Sequence, residues 1–79
     1  MQDVLWDQPV RLGYVGGRER WVKGPQEALQ CLSEWPSGGG WFYERAKIRC
    51  HAALEANGDL ALSRRAFVAA AIDASIECD

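Results

Sequence analysis

Val10, Leu12 and Tyr14 alternate with polar or small residues, the period-two pattern of a strand with one buried face. Pro9 suits the start of such a strand, where no ladder donor is needed. Gly16-Gly17 signals a tight turn, and Glu19 to Lys23 supplies the returning strand. A lone hairpin is marginal in water, so this one must lie on helices. Gly24-Pro25 opens the first of them, because proline at the first helical position gives up an N–H that has no partner there anyway. Glu27 in the first turn complements the helix dipole. Ala28, Leu29, Leu32 and Trp35 recur at helical spacing with Cys31 beside them, and Trp35-Pro36 ends the helix.

Ser37-Gly38-Gly39-Gly40 reads as the most flexible linker in the chain. A second helix is expected from Trp41 to Ala56, with Tyr43, Ala46, Cys50, Ala53 and Leu54 as its core stripe. Asn57-Gly58 closes it as a left-handed C-cap. Asp59 then caps a third helix running to about Ser75. That helix carries two apolar stripes, one of Leu62, Ala66, Ala69, Ile72 and Ile76, the other of Leu60, Phe67, Ala70 and Ala74. A helix apolar nearly all round belongs inside. The pattern therefore predicts one α+β domain over residues 1–79, an N-terminal β-hairpin followed by three α-helices packed on it, the third central. Ile76 to Asp79 are candidates for a further strand against the hairpin.

One stripe does not fit this scheme. Trp41, Ile48 and Ala52 fall on the side of the second helix opposite its core stripe, interrupted by Arg45. Either the helix is sandwiched between other elements, which is the plainer reading, or the stripe is an exposed interface.

Composition narrows the classes. With 48% hydrophobic and 25% charged residues, the 79-residue chain can build a core and is not disordered by composition. Four tryptophans give it large units of buried area. A net charge of -2 argues against a general nucleic-acid binder, which needs a basic surface. Arg45 and Arg49 on the second helix and Arg64-Arg65 on the third form a candidate basic cluster. In an antiparallel helix pair, however, these two groups sit at opposite ends. Cys31, Cys50 and Cys78 are too few and too widely spaced for a disulfide framework or a zinc site. The N-terminus lacks a basic start and apolar run, and the longest apolar stretch, Ala66 to Ile72, is too short to cross a bilayer. A reduced, cytoplasmic setting is expected.

No catalytic constellation emerges. Cys50-His51 are adjacent, but neighbours on a helix diverge by about 100°, and Cys50 lies on an apolar stripe, as a structural thiol does. His51 is the single histidine, so no histidine-based metal cluster exists. The Gly38-Gly39-Gly40 loop precedes a helix and has Trp41 where a phosphate-binding loop needs lysine. Catalytic, cofactor-binding and metal-binding residues are accordingly expected to be absent, and no cofactor is implied.

The order of signals resembles the family catalogued as domain of unknown function 982, short bacterial proteins without assigned activity. The matching features are Pro9-Val10 entering a strand, Glu27-Ala28, Leu32 with Trp35-Pro36, Ala46 and Cys50, Arg65-Ala66-Phe67, and Ala70-Ala71. The resemblance implies the fold and no chemistry. The expected function is a small non-enzymatic protein–protein interaction or accessory module, with self-association into a homodimer one form of it. The alternatives are a nucleic-acid-binding or regulatory protein and a small-ligand binder. A partner protein or second copy is expected as the occupant, with no membrane role. Trp41, Ile48 and Ala52 are the candidate surface; Arg45, Arg49, Arg64 and Arg65 are the basic residues of the alternative.

Overall fold

The alternation around Leu12 becomes one strand of an antiparallel hairpin, β1 (Val10–Val15) with β2 (Arg18–Val22). The computed structural model of the protein describes residues 5–15, 18–35, 39–55 and 58–76. Three helices follow the hairpin: α1 (Pro25–Ser33), α2 (Trp41–Leu54) and α3 (Leu60–Asp73). The expected α+β architecture is therefore present. The Gly16-Gly17 turn, Ala56, Asn57 and residues 77–79 of the candidate third strand lie outside the described residues.

Val10 pairs with Val22 and Leu12 with Arg20, after which Gly13 is an extra residue in β1 and Tyr14 pairs with Glu19. This bulge stops the simple alternation at Leu12, and glycine accommodates the local bend. Val10, Leu12 and Val22 are fully buried, whereas Trp21, one residue out of phase, is exposed on the outer face.

The helix boundaries follow local chemistry. α1 has Pro25 at its first position, and the Glu27 carboxylate accepts the Lys23 N–H at 2.8 Å. Its regular turns end at Ser33, with Glu34 as the cap, slightly before Trp35. Asp59 caps α3 as expected, accepting the Leu62 N–H at 3.2 Å. α3 ends in a Schellman motif: Ser75 takes φ 61°, its N–H donates to Ile72 O, and Ile76 N–H donates to Ala71 O at 2.8 Å. Ile76 folds back into the core as the hydrophobic partner of that motif.

α2 ends earlier than the expected Asn57-Gly58 cap. It stops at Leu54, with Glu55 as an extended cap, so the helix ends before Gly58 is reached. Gly58 is needed for a different reason. A Cβ there would lie 1.9 Å from Ala52 O and 2.1 Å from Ala53 Cα, because the chain folds tightly against the last turn of α2.

The core gathers around Phe67, which is fully buried in α3. Trp6 and Trp35 close on it with ring centroids at 5.7 and 5.6 Å. Trp6 also donates its indole N–H to Ser63 Oγ at 2.9 Å, and Ser63 in turn donates to Leu60 O at 2.7 Å. The one buried polar side chain of the described core is thereby satisfied. Trp6 N–H donates to Lys23 O, fastening the N-terminal segment to the end of the hairpin. α2 packs most extensively against α3 and next against α1. Its inward face is Ala46, Cys50 and Ala53.

Two expected core residues are at the surface. Ile72 is 65% exposed, since at 100° per residue it lies about half a turn from Ser63, on the side of α3 away from the core. Leu54 sits on the edge of the α2 stripe and is also exposed. α3 supplies the centre of the core through Ser63, Phe67, Ala70 and Ala71, but it is not buried all round. No helix of the described residues is long and apolar enough to cross a membrane.

Two substitutions test this packing. Ser63→Ala strands the buried Trp6 N–H and is expected to cost about 1–3 kcal/mol in urea unfolding. Adding Trp6→Phe to it should cost less than the two single losses combined, because the donor goes with its acceptor. Strict additivity would remove the bond from the stability account. Gly58→Ala drives a methyl into backbone and should lower stability by at least about 2 kcal/mol; an unchanged unfolding midpoint would contradict the tight turn.

Candidate functional site

α2 begins from two glycines in the left-handed region, Gly39 at φ 93° and Gly40 at φ 96°. A side chain at either position would be strained, so the pair sets the angle at which the helix starts. Trp41 is consequently the first helical residue, and it points outward, 64% exposed. Phe42 meets its ring edge-on at 4.9 Å. One turn along, the Arg45 guanidinium lies over the Trp41 ring at 5.1 Å, a cation–π contact that orders both side chains. Ile48 continues the stripe, also 64% exposed, and Ala52 ends it half-buried.

The sandwiched reading of this stripe does not hold. α1 and α3 both pack on α2, and the residues buried there are Ala46, Cys50 and Ala53. Ile48 and Trp41 lie on the opposite side of the helix and are both exposed, so neither neighbour covers them.

Beside the stripe, between α2 and α3, is an open hollow of about 360 Å³. Trp41, Phe42 and Arg45 line it from α2, with Leu62, Arg65, Ala66 and Ala69 from α3. The two alanines are short enough to leave the space concave. Arg45 and Arg65 thus share one site, against the expectation that the two arginine groups stay at opposite ends of the helix pair. The long Arg65 side chain, one helical step from Ala66, reaches the same hollow. Among the described residues, neither arginine has a carboxylate within ion-pair distance.

The other two basic residues do not join them. Arg64 donates from Nε to Gln8 O at 3.0 Å and lines a smaller hollow of about 180 Å³ with Trp6, Asp7, Leu60, Ala61 and Arg65. Arg49 is half-buried and lines neither hollow. Arg20 is held by Glu34 at 2.7 Å, and Arg11 is paired with Glu19, so these cations are engaged on the hairpin side.

Both described thiols are structural in setting. Burial pushes Cys50 up from 9.0 to about 12. Cys31 rises to about 11, again by burial; Arg20 opposes that rise and Glu34 adds to it. His51 is exposed while Cys50 is fully buried, so the adjacent pair does not form a nucleophile and its base. Among the described residues, no group of three or more His, Cys, Asp or Glu side chains could hold a metal ion.

Sequence periodicity located Trp41 and Ile48 but did not connect Leu62 and Arg65 to them. A crossing-helix pairing would have been needed, and spacing within one helix carries no such information. Phe42 was also missed, since one step along the helix separates it from both stripes.

Fold and site together define a small α+β protein with an exposed aromatic and arginine face on its second and third helices. The chain belongs to the family described as Protein of unknown function (DUF982), whose model matches residues 8–78. No curated protein and no solved structure matches it.

The thiols generate a chemical prediction. In a Cys78→Ser chain, Cys31 and Cys50 should resist Ellman's reagent at pH 8 while folded and react fully in denaturant. Because both thiols hold their protons more tightly when folded, the associated stability is complete below pH 9.0 and falls as pH rises through about 11 to 12. Rapid labelling of the native protein at pH 8 would contradict their burial.

Proposed function

We propose that this protein is a small non-enzymatic interaction module that binds another protein through the outward face of α2 and the hollow beside it. The observation that carries the reading is the exposure of Trp41 and Ile48 on one stripe of a helix whose inward face is made of small residues. Large apolar side chains cost least when a partner covers them, and tryptophan and arginine are the residues most often found at binding hot spots. Phe42 and Leu62 extend the apolar surface into the hollow.

A partner protein fits better than a second copy centred on the same place. A twofold axis through the hollow would bring Arg45 and Arg65 toward their own equivalents, and like charges facing each other oppose association. A nucleic-acid partner is less favoured, because an overall net charge of -2 works against the general attraction to phosphate that such binders rely on. Two free, buried cysteines support a reducing, cytoplasmic setting for the module, in keeping with the bacterial origin that the sequence resemblance implies.

Affinity capture from the native lysate, with and without nuclease, tests this reading. The wild-type chain should retain a nuclease-resistant protein that a folded Trp41→Ala, Ile48→Glu variant loses. Circular dichroism must show that the variant is folded. Identical eluates from the two chains would overturn the proposal. Material removed by nuclease would transfer it to the nucleic-acid alternative, and a wild-type dimer dissolved by Ile48→Glu would transfer it to self-association.

A further inference from the structure

The α2–α3 hollow has a chemical character that narrows the partner. Its apolar walls are Trp41, Phe42 and Leu62, and its short side chains are Ala66 and Ala69. Arg45 and Arg65 line it without an acidic residue among the lining side chains. On the hairpin, by contrast, Arg11 pairs with Glu19 and Arg20 with Glu34. Arg45 is ordered in advance by the Trp41 ring 5.1 Å away, so less side-chain freedom is lost when it pairs with an incoming anion.

We infer that the hollow receives an acidic segment of the partner protein, with one bulky apolar side chain seated between Trp41, Phe42 and Leu62 and flanking carboxylates paired to Arg45 and Arg65. This rests on the interaction-module reading and adds the chemistry of the partner to it. An apolar anchor alone would leave two cations at the rim without partners. A carboxylate alone would leave the aromatic walls wet. An acidic peptide with an aromatic or large aliphatic centre satisfies both, and charge complementarity at the rim sets its orientation and its salt dependence. The hollow is large enough for one such side chain and too open to enclose a small molecule on all sides.

The test is selection of a displayed random-peptide library on the folded full chain, followed by fluorescence polarisation of the most enriched peptide. Enrichment of a large apolar residue flanked by Asp or Glu is expected. That peptide should lose at least about tenfold in affinity on the Arg45→Gln, Arg65→Gln chain and on raising salt. Replacing its acidic residues by amides should produce a similar loss, and Trp41→Ala should weaken it independently. Enrichment of neutral or basic peptides, no enrichment over the double-arginine variant, or equal competition by glutarate alone would overturn the inference. Preferential binding of single-stranded DNA through the same arginines would overturn it in favour of nucleic acid. If the peptide result fails while lysate capture still depends on Trp41 and Ile48, the interaction module survives and only its acidic partner is lost. If capture is also indifferent to those residues, both fall.

Discussion

The contact between Phe67 and its two tryptophans is the constraint on which the rest of the fold depends. Trp6 arrives from the N-terminal segment, Trp35 from the end of α1, and Phe67 from the middle of α3. Three stretches distant in sequence meet at one ring. A chain of this size has little interior, and aromatic side chains supply more buried area per residue than any others. The Trp6 indole adds direction to that burial, since its N–H has to meet Ser63 Oγ. Sliding or rotating α3 past the N-terminal segment would break that bond inside an apolar surround, where an unpaired donor is most costly.

Around this centre the division of labour between helices is uneven. α2 turns small residues inward, Ala46, Cys50 and Ala53, and α3 answers with Ala66, Ala70 and Ala71. Short side chains let helix backbones approach closely. Tyr43 adds a polar tie, donating from its hydroxyl to Leu32 O at the end of α1. Apart from Tyr43, the bulky residues of α2 are not part of this inward face. Trp41 and Ile48 face out for the same geometric reason that the helix fits so tightly, so the exposed face and the packed face are two sides of one arrangement.

Much of this was legible in the residues themselves because the signals are local. Pro25 and Asp59 mark helix starts through backbone chemistry that acts within one turn, and the hairpin strands announce themselves by alternation. Features that depend on a distant partner were not legible. Ser63 is polar, and only the arrival of Trp6, 57 residues earlier, makes it a core residue. Ile72 is as apolar as any core residue, yet its angular position relative to Ser63 turns it outward. Gly58 carries an ordinary cap signal, but a close backbone approach is what requires it. The same limit applied at the site. The Trp41 and Ile48 stripe could be read along one helix, whereas the meeting of Arg45 with Arg65 depends on how two helices cross.

Trp6 carries a last consequence, concerning where this domain begins. The family match starts at residue 8, two positions after the tryptophan that closes the core and bonds to both Ser63 and Lys23. Similarity to relatives and physical cooperativity therefore draw different borders on this chain. The matched segment is a subset of the residues that fold together, and the piece outside it includes the side chain that closes on Phe67. Swapping the matched segment into another protein, or joining it to one, would move a recognisable module without the lid of its own interior.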